Sequence, residues 1–142
     1  MSHLRTGAAN RNLIVGMVAV VLLAAAGWLL FGNKGPAEPT VDEGRKTAEA
    51  FLSLLERGKA AEAWETTTAE FKSALGRERF VSQAAKSPIL KKPLQFASTQ
   101  AVNVSDAPRT EFVYQPADGA GGMVRLLIAQ EGGAWKVERA AF

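Results

Sequence analysis

From Leu13 to Phe31 the chain runs for 19 residues without a charge or a polar side chain. No soluble domain of this size has a natural place for such a run. At 1.5 Å rise per residue a helix of that length reaches roughly 28 Å, close to the hydrocarbon thickness of a bilayer. Leu, Ile and Val recur on every side of it, as a lipid-facing helix requires, and Trp28 and Phe31 stand near one end, where an aromatic belt is expected. The spacing predicts a transmembrane anchor over residues 13–31. No GxxxG pair interrupts it, so the small residues Ala24 to Gly27 are weak grounds for pairing between anchors.

Residues 1–12 carry Arg5 and Arg11 and no acid, and a short basic tail is readily retained in the cytoplasm while a long segment translocates. The expected topology is single-pass, with the N-terminus cytoplasmic and the rest on the outer, periplasmic or extracellular, side of the cell membrane. The rival reading is a signal peptide cleaved after Ala26, but Gly27-Trp28-Leu29-Leu30-Phe31 continues the apolar run beyond that cut, which favours an uncleaved anchor. The absence of cysteine excludes a lipidated cysteine, disulfides, thiolate nucleophiles and cysteine metal sites together.

Dividing the charge at the anchor changes its meaning. The chain carries +3 overall, yet Arg5, Arg11 and Lys34 account for the excess, leaving 14 basic against 14 acidic side chains after Lys34. A neutral domain has little electrostatic hold on phosphates, so nucleic acid is not an expected partner.

Residues 32–40 form a linker with two glycines and two prolines, and about 100 residues follow, enough for one small domain at 41–142. Thr40 and Glu43 have the spacing of a capping box. Ala48, Phe51, Leu52 and Leu55 then recur at helical period, with Glu49, Glu56 and Arg57 outward, until Gly58. Lys59 to Glu65 predicts a second short helix, Thr66 to Thr68 a break, Thr68 to Leu75 a further helical turn, and Arg77 to Lys86 a last helix stopped by Ser87-Pro88.

Beyond this the period becomes two. Leu94, Phe96, Ser98 and Gln100 alternate with Gln95, Ala97, Thr99 and Ala101 in a strand reaching Val104, and Asp106-Ala107-Pro108 reads as the turn after it. Thr110, Phe112 and Tyr114 share one face of the next strand, with Glu111, Val113 and Gln115 on the other. Pro116 to Gly122 is a loop, Met123 to Glu131 an apolar central strand, Gly132-Gly133 a two-residue hairpin turn, and Ala134 to Phe142 the last strand. The fold class expected is α+β: an N-terminal transmembrane helix, then helices packed on an antiparallel sheet of about four strands.

Helices wrapped by a curved antiparallel sheet resemble the nuclear transport factor 2-like, or cystatin-like, cone. The motifs Ala48-x-x-Phe51-Leu52-x-Leu54-Leu55-x-x-Gly58, Ala63-Trp64-Glu65, Phe71-Lys72 and Gly133-Ala134-Trp135-Lys136-Val137 resemble, in their order and spacing, the exported domain-of-unknown-function family numbered 4019, over residues 41–142. The resemblance implies an exported cone-shaped domain and brings no activity with it.

Enzymes of that fold class use Asp, His or Tyr in the cone. Here His3 is the one histidine and lies before the anchor, Asp106 and Asp118 sit in turns, and Tyr114 has no acid or base partner in view. No catalytic residue, cofactor or metal is expected. Trp64, Phe71, Phe112, Tyr114 and Trp135 read first as core; as a second reading they line a pocket for a small apolar ligand. Glu111 and Arg125 are placed to pair across adjacent strands, and Lys86, Lys91 and Lys92 form a basic cluster read as a solvated loop, with anionic headgroups as its alternative contact. The function expected is a non-enzymatic envelope module that binds a protein partner or a second copy of itself through the exposed sheet face, with a small-ligand carrier as the alternative.

Overall fold

The computed structural model describes residues 36–142. The anchor, its leader and the start of the linker lie outside the described residues; among the described residues no helix is long and apolar enough to cross a membrane.

The described chain is α+β, helices first and then a four-stranded antiparallel sheet in the order β1-β2-β3-β4. Helix α1 spans Val41–Glu56 and opens with the expected capping box: Thr40 Oγ1 accepts from Glu43 N, and the Glu43 carboxylate accepts from Thr40 N at 3.0 Å. Helix α2 (Ala60–Glu65) and helix α3 (Ala69–Ala74) are separated by the three threonines. Thr68 acts as a cap, its hydroxyl accepting from Phe71 N. Helix α4 spans Arg77–Lys86 and stops before Ser87-Pro88 as expected, and a 3-10 turn at Ile89–Lys91, within the stretch expected to be loop, leads into the sheet.

Strands β1 (Leu94–Val104), β2 (Ala107–Pro116), β3 (Val124–Glu131) and β4 (Ala134–Ala141) form a meander. Gly132 and Gly133 take φ of 60° and 78°, the two positive values that a two-residue hairpin needs. The first hairpin differs from expectation. Ser105 (φ 49°) and Asp106 (φ 64°) make its turn, and Ala107 and Pro108 already belong to β2. Serine and aspartate tolerate the left-handed region without a glycine to announce it. The alternation of β1 is also corrected. A bulge at Ala97 pairs Phe96 with Tyr114 but Ser98 with Val113, so Thr99 and Ala101, not Ser98 and Gln100, share the face of Phe96.

The core lies between the helices and one face of the sheet. Phe80 is its centre, with ring centroids 5.5 Å from Phe71, 6.0 Å from Phe51 and 6.2 Å from Phe142. Ala48, Leu52 and Leu55 of α1 and Leu126, Ile128 and Val137 of the sheet close around them. On the other face of the sheet Val113 and Leu127 are buried as well, so β2 and β3 present no exposed apolar patch there.

The ladder between β2 and β3 is short, joining Glu111–Tyr114 to Val124–Leu127 only. Where it ends, side chains replace it. Arg109, buried on β2, donates through Nη2 to Ile128 O of β3 at 3.0 Å and to Glu138 of β4 at 3.3 Å. Glu38, from the linker, accepts from Arg109 Nε and from Thr110 N. The chain therefore enters its domain strapped to the middle of the sheet.

Candidate functional site

The five aromatic residues singled out by sequence are not gathered around one cavity. Phe71 and Phe112 are buried in the core. Phe112 lies under Gly44, where a β-carbon would overlap the ring. Trp64 is half-buried; its Nε1 donates to Leu75 O at 2.8 Å, and Lys72 Nζ lies 5.1 Å from the ring centroid. Trp135, also half-buried, lines a cleft of about 270 Å³ between α1 and β4 with Phe51 and Leu54.

Tyr114 borders a separate pocket of about 130 Å³, whose other walls include Glu49, Glu56 and Lys92. Its hydroxyl is buried without a hydrogen-bond partner among the described residues. Burial, helped by the negative charge of Glu49 and opposed by Arg45, pushes its pKa up to about 12. The carboxylate that would make an acid-base pair with it is not in place: Glu49 is exposed and bonded to Arg45 at 3.0 Å. A phenol so hard to ionise and without a partner is poorly suited to proton transfer near neutral pH.

Among the described residues a groove of about 670 Å³ lies between α4, the glycine loop before β3 and the end of β4. Leu75, Phe80, Ile89, Met123 and Phe142 supply its apolar wall, and Gln83 and Lys86 its polar one. Sequence reasoning missed it because its walls come from four elements; the half-exposed Met123 beside the glycine loop was the single local sign.

The basic cluster is divided among separate tasks. Lys92 is tied to Asp118 and to Ala120 O, both at 3.0 Å, and holds the loop between β2 and β3. The Ala120 N–H and Lys92 together keep the Asp118 carboxyl below its ordinary pKa. Lys86 stands at the large groove and Lys91 beside another cleft. Glu111 and Arg125 do not pair: the register sets Glu111 opposite Leu127 and Arg125 opposite Val113. Among the described residues no group of His, Asp or Glu could hold a metal ion.

The two edges of the sheet differ. The β4 edge is met by the α2–α3 connection: Thr67 bridges to Val137, and Thr68 N donates to Val137 O at 3.0 Å. Glu131, at the end of β3, reaches Ala69 N at 2.7 Å and Lys136 at 2.7 Å, fastening the same corner. The β1 edge has no such cover among the described residues. None of its 11 residues is buried and none is charged.

Fold and surface thus define a small α+β domain with one sheet edge closed and the other uncovered among the described residues. Compared with known proteins, the chain matches no family model, and no curated protein matches it.

Proposed function

We propose that this chain is a single-pass membrane protein whose outward domain is a non-enzymatic interaction module. Residues 13–31 are the anchor, residues 1–12 the cytoplasmic tail, and the domain has the cone-shaped architecture of the nuclear transport factor 2-like class and the exported family resembled by its motifs. The observation that carries the interaction reading is the contrast between edges. An open strand is a template for another strand, and natural domains blunt such edges with charge, proline or a covering segment. Here β4 has the cover, and along Ser98–Val104 β1 has no charge and, among the described residues, no cover. Strand addition at an exposed edge is a common way for a domain to bind protein.

Because the chain has no cysteine, single cysteines test the topology cleanly. Ser73→Cys, on exposed α3, is expected to react with a membrane-impermeant maleimide in intact cells, Ser2→Cys only after lysis, and both proteins to resist carbonate extraction. A photo-crosslinking residue at exposed Gln100 tests the module: a discrete protein adduct supports it, and none overturns it. The 670 Å³ groove favours a second reading, a carrier of a small apolar ligand. A reproducible extra mass on the folded chain in native mass spectrometry is its test.

A further inference from the structure

We propose that the occupant of the β1 edge is the β1 strand of a second copy, paired antiparallel about Ala101. This rests on the interaction-module reading and names its partner.

The hairpin decides which backbone groups are available. Its two-residue turn, Ser105-Asp106, is closed by Val104 and Ala107, whose N–H and C=O groups face each other. Backbone groups alternate sides along a strand, so Asn103, Ala101 and Thr99 turn theirs away from β2. The bulge at Ala97 bends the start of β1 and protects it, leaving Ser98–Val104 as the regular stretch. Two such stretches related by a two-fold axis at Ala101 bring Ala101 opposite its own copy and Thr99 opposite Asn103, with all three outward residues bonded across the axis. The axis makes the contact isologous and closes it at two copies.

The occupant follows from charge. In a two-fold pair position 101 meets itself and positions 99 and 103 meet each other, so a charge at 101, or like charges at 99 and 103, would repel across the axis. No charged residue lies anywhere in Leu94–Val104, whereas β4 carries Lys136, Glu138 and Arg139. An edge selected for a basic or acidic partner strand would carry the opposite sign, and this one carries none. Seven residues of edge pairing bury less than the roughly 1,600 Å² of a standard interface, so the contact is weak in dilute solution. Two copies held by anchors in one bilayer meet at a far higher effective concentration.

The test uses the full chain in membrane vesicles. Directly opposed residues of an antiparallel pair lie about 5.5 Å apart at Cα when hydrogen-bonded, within the range of a disulfide. Ala101→Cys is expected to give a linked dimer on mild oxidation, and Ser73→Cys, equally exposed on α3, is not. Adding Thr99→Lys and Asn103→Lys sets lysine against lysine twice and lowers the dimer yield by about tenfold or more. Adding Thr99→Glu and Asn103→Lys instead sets glutamate against lysine and keeps the yield. Equal linking of Ala101→Cys and Ser73→Cys, or indifference to the charge pattern, overturns the proposal. Linkage of Ala101→Cys to a different protein overturns it too, while leaving the interaction module standing. No adduct from β1 by either oxidation or the Gln100 photoprobe removes both.

Discussion

Gly44 of α1 lies directly on the ring of Phe112, so closely that a β-carbon there would overlap the aromatic carbons. A buried glycine in the second turn of a helix loses about 1 kcal/mol of helix propensity relative to alanine. What it gains is a closer approach of helix to sheet, with Phe112 fully buried beneath.

Gly44→Ala sets these effects against each other. Propensity favours alanine by about 1 kcal/mol, and overpacking against a buried ring costs about 1–3 kcal/mol. Because Phe112 has no exposed side to swing toward, the clash is expected to win, with a net loss of about 1–2 kcal/mol in urea unfolding. Gly44→Ala with Phe112→Leu should recover part of what the two single changes lose together, a coupling that a double-mutant cycle reads directly.

Arg109 carries the second prediction. It is buried against Ile128 O, Glu38 and Glu138, and removing it leaves a largely buried Glu138 and the linker carboxylate without a cation. Arg109→Met is expected to destabilise the domain by about 3–5 kcal/mol, the usual cost of breaking a buried ion pair from one side. Glu38→Gln keeps an acceptor for Thr110 N and should cost less. Its loss should instead appear as faster amide exchange at Thr110, with the β3–β4 hairpin unaffected.

What could be seen in the sequence was local. Thr40 with Glu43, and Gly132 with Gly133, are complete signals within four residues, and both appear in the structure as expected. The bulge at Ala97 left no signal because alanine fits either face of a strand, and one extra residue reversed every face assignment after it. Ser105-Asp106 was misplaced by one position because the neighbouring proline is the stronger turn marker. Glu38 and Arg109 are 71 residues apart, and Arg109 shares its strand parity with Glu111 and Gln115, so nothing nearby marks it as buried. The large groove was invisible for the same reason: only the folded placement of α4 beside the Gly121-Gly122-Met123 loop and the end of β4 creates it.

Tyr114 gives a prediction with its sign fixed. Its native pKa lies near 12, above the ordinary value of 10, so the folded chain holds the phenolic proton more tightly than the unfolded one. The stability linked to this proton is therefore complete below pH 10 and is lost as pH rises from about 10 to about 12. Tyr114 is the one tyrosine in the chain, so the ultraviolet titration of tyrosinate reads this group alone. Tyr114→Phe removes a buried hydroxyl that has no partner and should leave stability at pH 7 unchanged or higher by up to about 1 kcal/mol. The difference between the two proteins should grow in favour of phenylalanine through the alkaline window. A titration midpoint near 10 in the folded chain would contradict the burial of this hydroxyl.

Glu131 supplies the acid limb. Its carboxylate accepts from Lys136 and from the first N–H of α3, and these two bonds, Lys136 foremost, hold its pKa below the usual glutamate value. A lowered native pKa means stability that is present above the unfolded value and lost as pH falls through the native one. Glu131→Gln removes the charge that both donors face, so the variant should melt below the parent at pH 7. The gap should close as the solution is acidified past the depressed native value, because the parent's carboxyl is then protonated too. The same change frees the corner at which β4, Lys136 and the start of α3 meet, so hydrogen exchange at Ala69 should rise with it. An undiminished gap at low pH would mean that the shape of the glutamate side chain, not its charge, secures that corner.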